Sequence, residues 1–238
     1  MKALISYYFL DYMRSFRFVP PLTIYLVTLI ANYTYKSNHI LSSTAVTAIY
    51  LFLLMTWFTL SFFHSEDPNQ QNLTILHAKS RAKIFLSKYI TMGLCVIVLS
   101  ACSIIYPVVF GMFEENLSVP KLIIGFLNHF FLGILSVSMA ALFTRNIVNN
   151  TGIGWLGACF ALVISIASAG FSNTLPHMLR FIVWILPPIP SLMSLMERND
   201  VPYIASTVGL VYLWIVGYTV VLVLIFFWMQ QKGYRDLS

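Results

Sequence analysis

Ile40–Phe63 reads ILSSTAVTAIYLFLLMTWFTLSFF, an unbroken run without Asp, Glu, Lys, Arg or His. A bilayer hydrocarbon core of about 30 Å is crossed by roughly 20 apolar residues in helical form. The run exceeds that length, and in hydrocarbon a helix is the one single segment that satisfies its own backbone amides. It therefore predicts a transmembrane helix. Five further stretches share its character: 18–35, 89–110, 121–143, 151–169 and 203–229. Pro20 and Pro21 open the first of these, where a missing amide donor costs little. The last is long enough to tilt or to extend beyond the membrane. The expected fold is an all-α polytopic membrane protein, a single domain over residues 1–238 with six transmembrane helices.

Composition points the same way. Hydrophobic residues make up 59% of the chain and charged residues 9%, whereas soluble domains carry roughly 25% charged residues. A soluble protein is thereby excluded. The net charge of +6 does not imply nucleic acid, because the basic residues sit in loops beside apolar runs. Anionic lipid and the positive-inside rule account for them. With the N-terminus inside, the cytoplasmic Lys and Arg residues are Lys2, Arg14, Arg17, Lys79, Arg81, Lys83, Lys88, Arg145, Lys232 and Arg235. The outer ones are Lys36, Lys121, Arg180 and Arg198, so ten of the 14 lie inside while the acids divide evenly. Six crossings return the C-terminus to the cytoplasm, and the plasma membrane is the expected location. Lys2, Asp11, Arg14 and Arg17 interrupt any apolar leader, so no cleavable signal peptide is expected. Cys95, Cys102 and Cys159 lie within apolar runs without CxxC spacing and read as packing residues.

Three connections stand out. Residues 1–17 place Ile5, Tyr8, Phe9, Tyr12 and Phe16 on one helical face, opposite Asp11, Arg14 and Ser15. That spacing predicts an interfacial helix lying in the membrane surface. Residues 64–88 form the one long cytoplasmic loop. Glu66, Asp67 and Pro68 open it, and Leu73, Ile75 and Leu76 within polar flanks predict a short helix that docks onto a partner. Residues 170–202 lie outside and hold five of the ten prolines, yet 178–186 and 192–196 are apolar. Pro187, Pro188 and Pro190 forbid one continuous helix. Two short segments, re-entrant in the outer leaflet or capping the bundle, reconcile these facts.

Catalytic signatures are missing from the sequence. It contains no GxxxxGK[ST] loop, no HExxH pair and no GxSxG elbow. Glu114 and Glu115 form the one paired carboxylate in a loop and read as a solvated outer turn. Asn128 and His129 are a candidate intramembrane polar site, because ionisable groups in a span are costly. A lone His without an acidic partner reads more simply as hydrogen-bonded to a neighbouring helix. No span carries the buried Asp or Glu that ion-coupled transporters use. Energy for any transport is therefore expected from a partner. In 151–169, Gly152, Gly154, Gly157, Ala158, Ala161, Ala167 and Ala169 allow close approach of another helix.

The ordered combination resembles the ABC-2 type permease family, the membrane subunits of ATP-binding-cassette exporters. Residues 3–16 (ALISYYFLDYMRSF) resemble the family's elbow helix, and 73–88 (LTILHAKSRAKIFLSK) its first cytoplasmic loop. LPHMLR at 175–180 through ILPPIP at 185–190 resembles the re-entrant element before the last span. Ile189–Pro190–Ser191 departs from the Asn-Pro-type pair of many members. The resemblance implies a half-transporter, not itself an enzyme and without a cofactor of its own, since the partner subunit binds ATP. It would pair with a second permease copy or a related permease, sit in membrane lipid, and bind two copies of an ABC ATPase subunit. Leu73, Thr74, Ile75 and Leu76, with Lys79 and Arg81, would couple to the ATPase, Lys83 helping to meet an acidic rim. The cargo expected of uncharged, aromatic-rich spans is hydrophobic or amphipathic: a peptide, toxin, drug or lipid-like molecule. Two other readings stand beside it. One is a membrane-embedded enzyme using Asn128, His129, Glu114 and Glu115; the other is a non-transporting immunity or sensor protein.

Overall fold

The computed structural model describes residues 1–34, 39–78, 80–145, 147–148, 150–174, 186–197 and 201–235. Nine helices succeed one another along these residues, with no strand among them: α1 (Lys2–Arg14), α2 (Val19–Asn32), α3 (Ile40–Phe63), α4 (Pro68–Ala78), α5 (Arg81–Val109), α6 (Val119–Ala141), α7 (Thr151–Thr174), α8 (Ile189–Glu197) and α9 (Val201–Arg235). Five of them, α3, α5, α6, α7 and α9, are long and apolar enough to cross a membrane. The expected first span is realised as α2, whose 14 residues rise only about 21 Å. By length and composition five helices among the described residues could cross a membrane, and α2 is shorter than the roughly 20 residues that a crossing takes.

The outward surfaces of α7 and α9 are strongly apolar. Leu156 and Phe160 of α7, and Leu210, Leu213, Leu224 and Trp228 of α9, are exposed. A soluble surface does not tolerate that much contiguous apolar area; hydrocarbon does.

Packing centres on α3 and α6, which lie against each other along their length, with α5 and α9 on α6 and α2 on α3. In lipid, helix association rests on close packing and interhelical hydrogen bonds, because the solvent is itself apolar. Small residues make this possible. A Cβ on Gly125 would stand 3.1 Å from the Thr44 methyl group, and one on Gly133 only 2.6 Å from Val96. Gly125 thus brings α6 onto α3, and Gly133 brings it onto α5. The stripe on α7 works within the chain as well. A Cβ on Gly154 would collide with the Phe143 carbonyl oxygen, and one on Gly157 would stand 2.7 Å from the Phe143 ring.

One expected boundary moves by two turns. The second long apolar helix begins at Arg81, so α5 runs two turns ahead of 89 and takes Lys83 and Lys88 into the helix. Ser80 caps it, its hydroxyl accepting from the Lys83 amide. Within the outer segment, 175–185 and 198–200 lie outside the described residues. Between these two stretches lies α8, whose Ile189, Leu192, Leu195 and Met196 are buried against α3, α7 and α9. The greasy character of 192–196 therefore reflects a helix inserted into the bundle.

Candidate functional site

The ends of α3 and α5 meet α1, α4 and the turn before α7 at one end of the bundle, and polar groups concentrate there. Glu66 lies just past the end of α3 and Lys88 sits two turns into α5. Their side chains pair at 2.8 Å, 2% and 1% exposed. The Lys88 ammonium also lies over the rings of Tyr8, 5.0 Å from the centroid, and Phe63, at 5.6 Å. The other Glu66 oxygen accepts the Thr74 hydroxyl of α4 at 3.0 Å. One buried cation thus ties α1, the end of α3, α4 and α5 together. Breaking such a pair from one side costs about 3–5 kcal/mol, since it strands a buried charge.

His64, the C-cap of α3, forms a second junction two residues earlier. Its Nε2 accepts the Arg145 amide at 3.0 Å, and its carbonyl oxygen accepts the Arg17 guanidinium at 3.0 Å. The ring leans on Trp155 of α7. Burial, and then the nearby Arg145, Arg17 and Lys88, hold its pKa below the usual histidine value. An Nε2 acting as acceptor requires the same neutral form.

α1 is the helix its periodicity predicts, but its apolar residues do three jobs. Tyr8 and Tyr12, four residues apart, are buried against Phe62, with Phe58 also on Tyr12. Burial pushes the Tyr12 phenol up to about 12. Ile5 and Phe9 line a groove between α1, α2 and α5. Phe16 is exposed, stacks on Phe18 and takes φ 53°. A bulky residue holds that left-handed turn at a cost of about 1–3 kcal/mol; here the turn redirects the chain into α2.

α4 divides in the same way. Thr74 and Ile75 face inward, Thr74 to Glu66 and Ile75 to the Tyr8–Phe62 cluster. The Gln70 amide donates to the Tyr7 hydroxyl of α1 at 2.6 Å. Leu73 and Leu76 point away from the bundle, 59% and 71% exposed. Arg81 lies half-buried in the first turn of α5, and Lys79 falls outside the described residues.

Asn128 and His129 lie deep between α6, α3 and α9, both fully buried. His129 Nε2 is 3.0 Å from the Thr47 hydroxyl and Nδ1 is 2.8 Å from the Gly125 carbonyl oxygen. Tyr212 of α9 donates to the Asn128 side-chain oxygen, whereas the Asn128 amide nitrogen has no partner among the described residues. Nearby, Ser136 bonds Thr56 at 2.8 Å and the Phe52 carbonyl at 2.6 Å. This is a polar seam that aligns α3 with α6.

Glu114 is exposed, but Glu115 departs from the solvated turn expected for the pair. It accepts the Ile40 amide at 2.7 Å, capping α3, and pairs with Lys121 of α6. Burial alone would raise its pKa; Lys121 and the Ile40 amide outweigh burial and hold the carboxyl below its usual range. Position in the sequence concealed this, because Ile40 is 75 residues away.

Read from the sequence, Glu66, Lys88 and His64 are loop residues, not a site. A signal existed: Lys88 lies beyond Ile84, Phe85 and Leu86, inside an apolar run, and Glu66 stands close behind one. No protein family, curated protein or solved structure matches the chain.

Proposed function

We propose that this chain is the permease subunit of an ABC exporter, moving a hydrophobic or amphipathic cargo with ATP hydrolysed on a separate subunit. The observation that carries the reading is α4. It is fastened to the bundle on one side by Thr74, Ile75 and the Glu66–Lys88 pair, and presents Leu73 and Leu76 on the other. A short helix built this way can pass a push from outside directly into α5 and α1.

In this reading the two leucines seat in a groove of the ATPase, with Lys79 and Arg81 meeting acidic residues at its rim. ATP-driven closure moves the lever and changes which side of the bundle is open. On the same reading α2, tilted little and flanked by interfacial residues, is counted as the first of six crossings of the plasma membrane, both termini are cytoplasmic, and 170–202 is re-entrant from outside. Two permease chains and two ATPase subunits make the working unit.

Co-purification of the tagged chain from its native membrane tests this. A nucleotide-binding subunit is expected to accompany the wild type and to be lost from Leu73→Glu/Leu76→Glu, while that variant still inserts and runs as a folded species. If no such subunit accompanies the wild type, the reading fails. Transport by reconstituted vesicles then separates a permease from a non-transporting protein of the same build.

A further inference from the structure

The groove between α1, α2 and α5 has a volume of about 690 Å³ and is walled by Ile5, Phe9, Met13, Leu22, Leu94 and Val98 among others. That is within the roughly 300–1,000 Å³ of sites that enclose small molecules. Thr91 to Leu99 line it along α5, a rise of about 12 Å at 1.5 Å per residue. The groove is therefore long as well as greasy.

Its charge is at one end. Lys2, exposed and without an ion pair among the described residues, lies on the lining. Ser87 of α5 touches Met1 beside it, and Lys83 lies one turn further along the Ser87–Thr91 face, also exposed. The first turn of α1 has no capping side chain and no acidic residue, so its amides add to the positive field. Cations at one end of an apolar trough that continues down a membrane-spanning helix match an anionic phospholipid in both charge and shape.

We propose that this groove is a binding site for one anionic phospholipid of the leaflet in which α1 lies. The phosphate sits at Lys2 and Lys83, and an acyl chain runs between Phe9, Leu22 and Val98. The lipid would fill the space beneath α1 and hold it against α5. The proposal does not depend on an ATPase, and its test uses the chain alone, so failure of either reading leaves the other standing.

The test is native mass spectrometry of the detergent-purified full chain, with palmitoyl-oleoyl phosphatidylglycerol or phosphatidylcholine added at equal concentration. Phosphatidylglycerol is expected to be retained roughly fivefold or more over phosphatidylcholine, the ratio that about one lysine–headgroup attraction supplies. Lys2→Glu/Lys83→Glu should bring the two lipids to parity. Val98→Trp, which fills the groove, should lose the retained lipid, whereas Ile97→Trp, next to it but outside the lining, should not. Leu22→Trp closes the trough from the opposite wall and replaces Val98→Trp should that variant fail to fold. Equal retention of both lipids by the wild type would overturn the proposal, as would undiminished retention by the groove-filling variant.

Discussion

His64 shows how one side chain reports its surroundings through protonation. In the fold its neutral ring accepts the Arg145 amide and is crowded by cations, so its pKa lies below the unfolded value of about 6.5. At acid pH the unfolded chain therefore binds the proton more readily than the folded one. Stability from this residue is complete above the unfolded pKa and is lost as pH falls toward the folded one. Thermal unfolding of the purified protein should shift to lower temperature between about pH 7.5 and pH 5. His64→Gln retains an acceptor without the titration and should flatten part of that shift. An identical pH profile in the variant would remove His64 as its source.

Among the elements, α4 owes its position to contacts remote in sequence. Its own residues include two exposed leucines and only Ile75 and Ala78 packed on the bundle, and 11 residues are too few for a stable isolated helix in water. It holds because Glu66 bridges Thr74 to Lys88, and Lys88 rests under Tyr8. Glu66→Leu alone strands the ammonium and should cost about 3–5 kcal/mol of stability. Glu66→Leu/Lys88→Met removes both charges and should recover most of it, because well-packed apolar replacements of buried pairs are often neutral. The two measurements together separate charge burial from packing: a double variant no more stable than Glu66→Leu would mean that Lys88 contributes through its stem. If α4 is a lever, the stable double variant should still lose transport, because the bond that ties Thr74 of α4 to Glu66 is gone and only the Gln70 carbonyl within α4 still accepts from it.

The whole molecule is a bundle whose connections alternate between two ends. Glu115 caps α3 at one end, while α4, His64 and Arg145 gather at the other. With Cys95, Cys102 and Cys159 replaced by Ser, an impermeant maleimide should label Leu117→Cys in intact cells and Gln70→Cys only after permeabilisation. Both sites labelling from outside would contradict the proposed sidedness. The all-helical class, the long apolar helices and the helical N-terminal segment were legible in the sequence, because apolar length and a 3.6-residue period are properties of neighbouring residues and act through the local solvent. The same local reading overran at α2, whose described helix stops at Asn32, and underran at α5, where Lys88 looked like a loop charge until Glu66 was beside it. Tertiary structure alone decided which charges are neutralised, which glycines carry a close approach and which face of α4 stays open. Those are matters of distance between residues far apart along the chain, such as Ile40 and Glu115 or His64 and Arg145, and no window of neighbouring residues contains them.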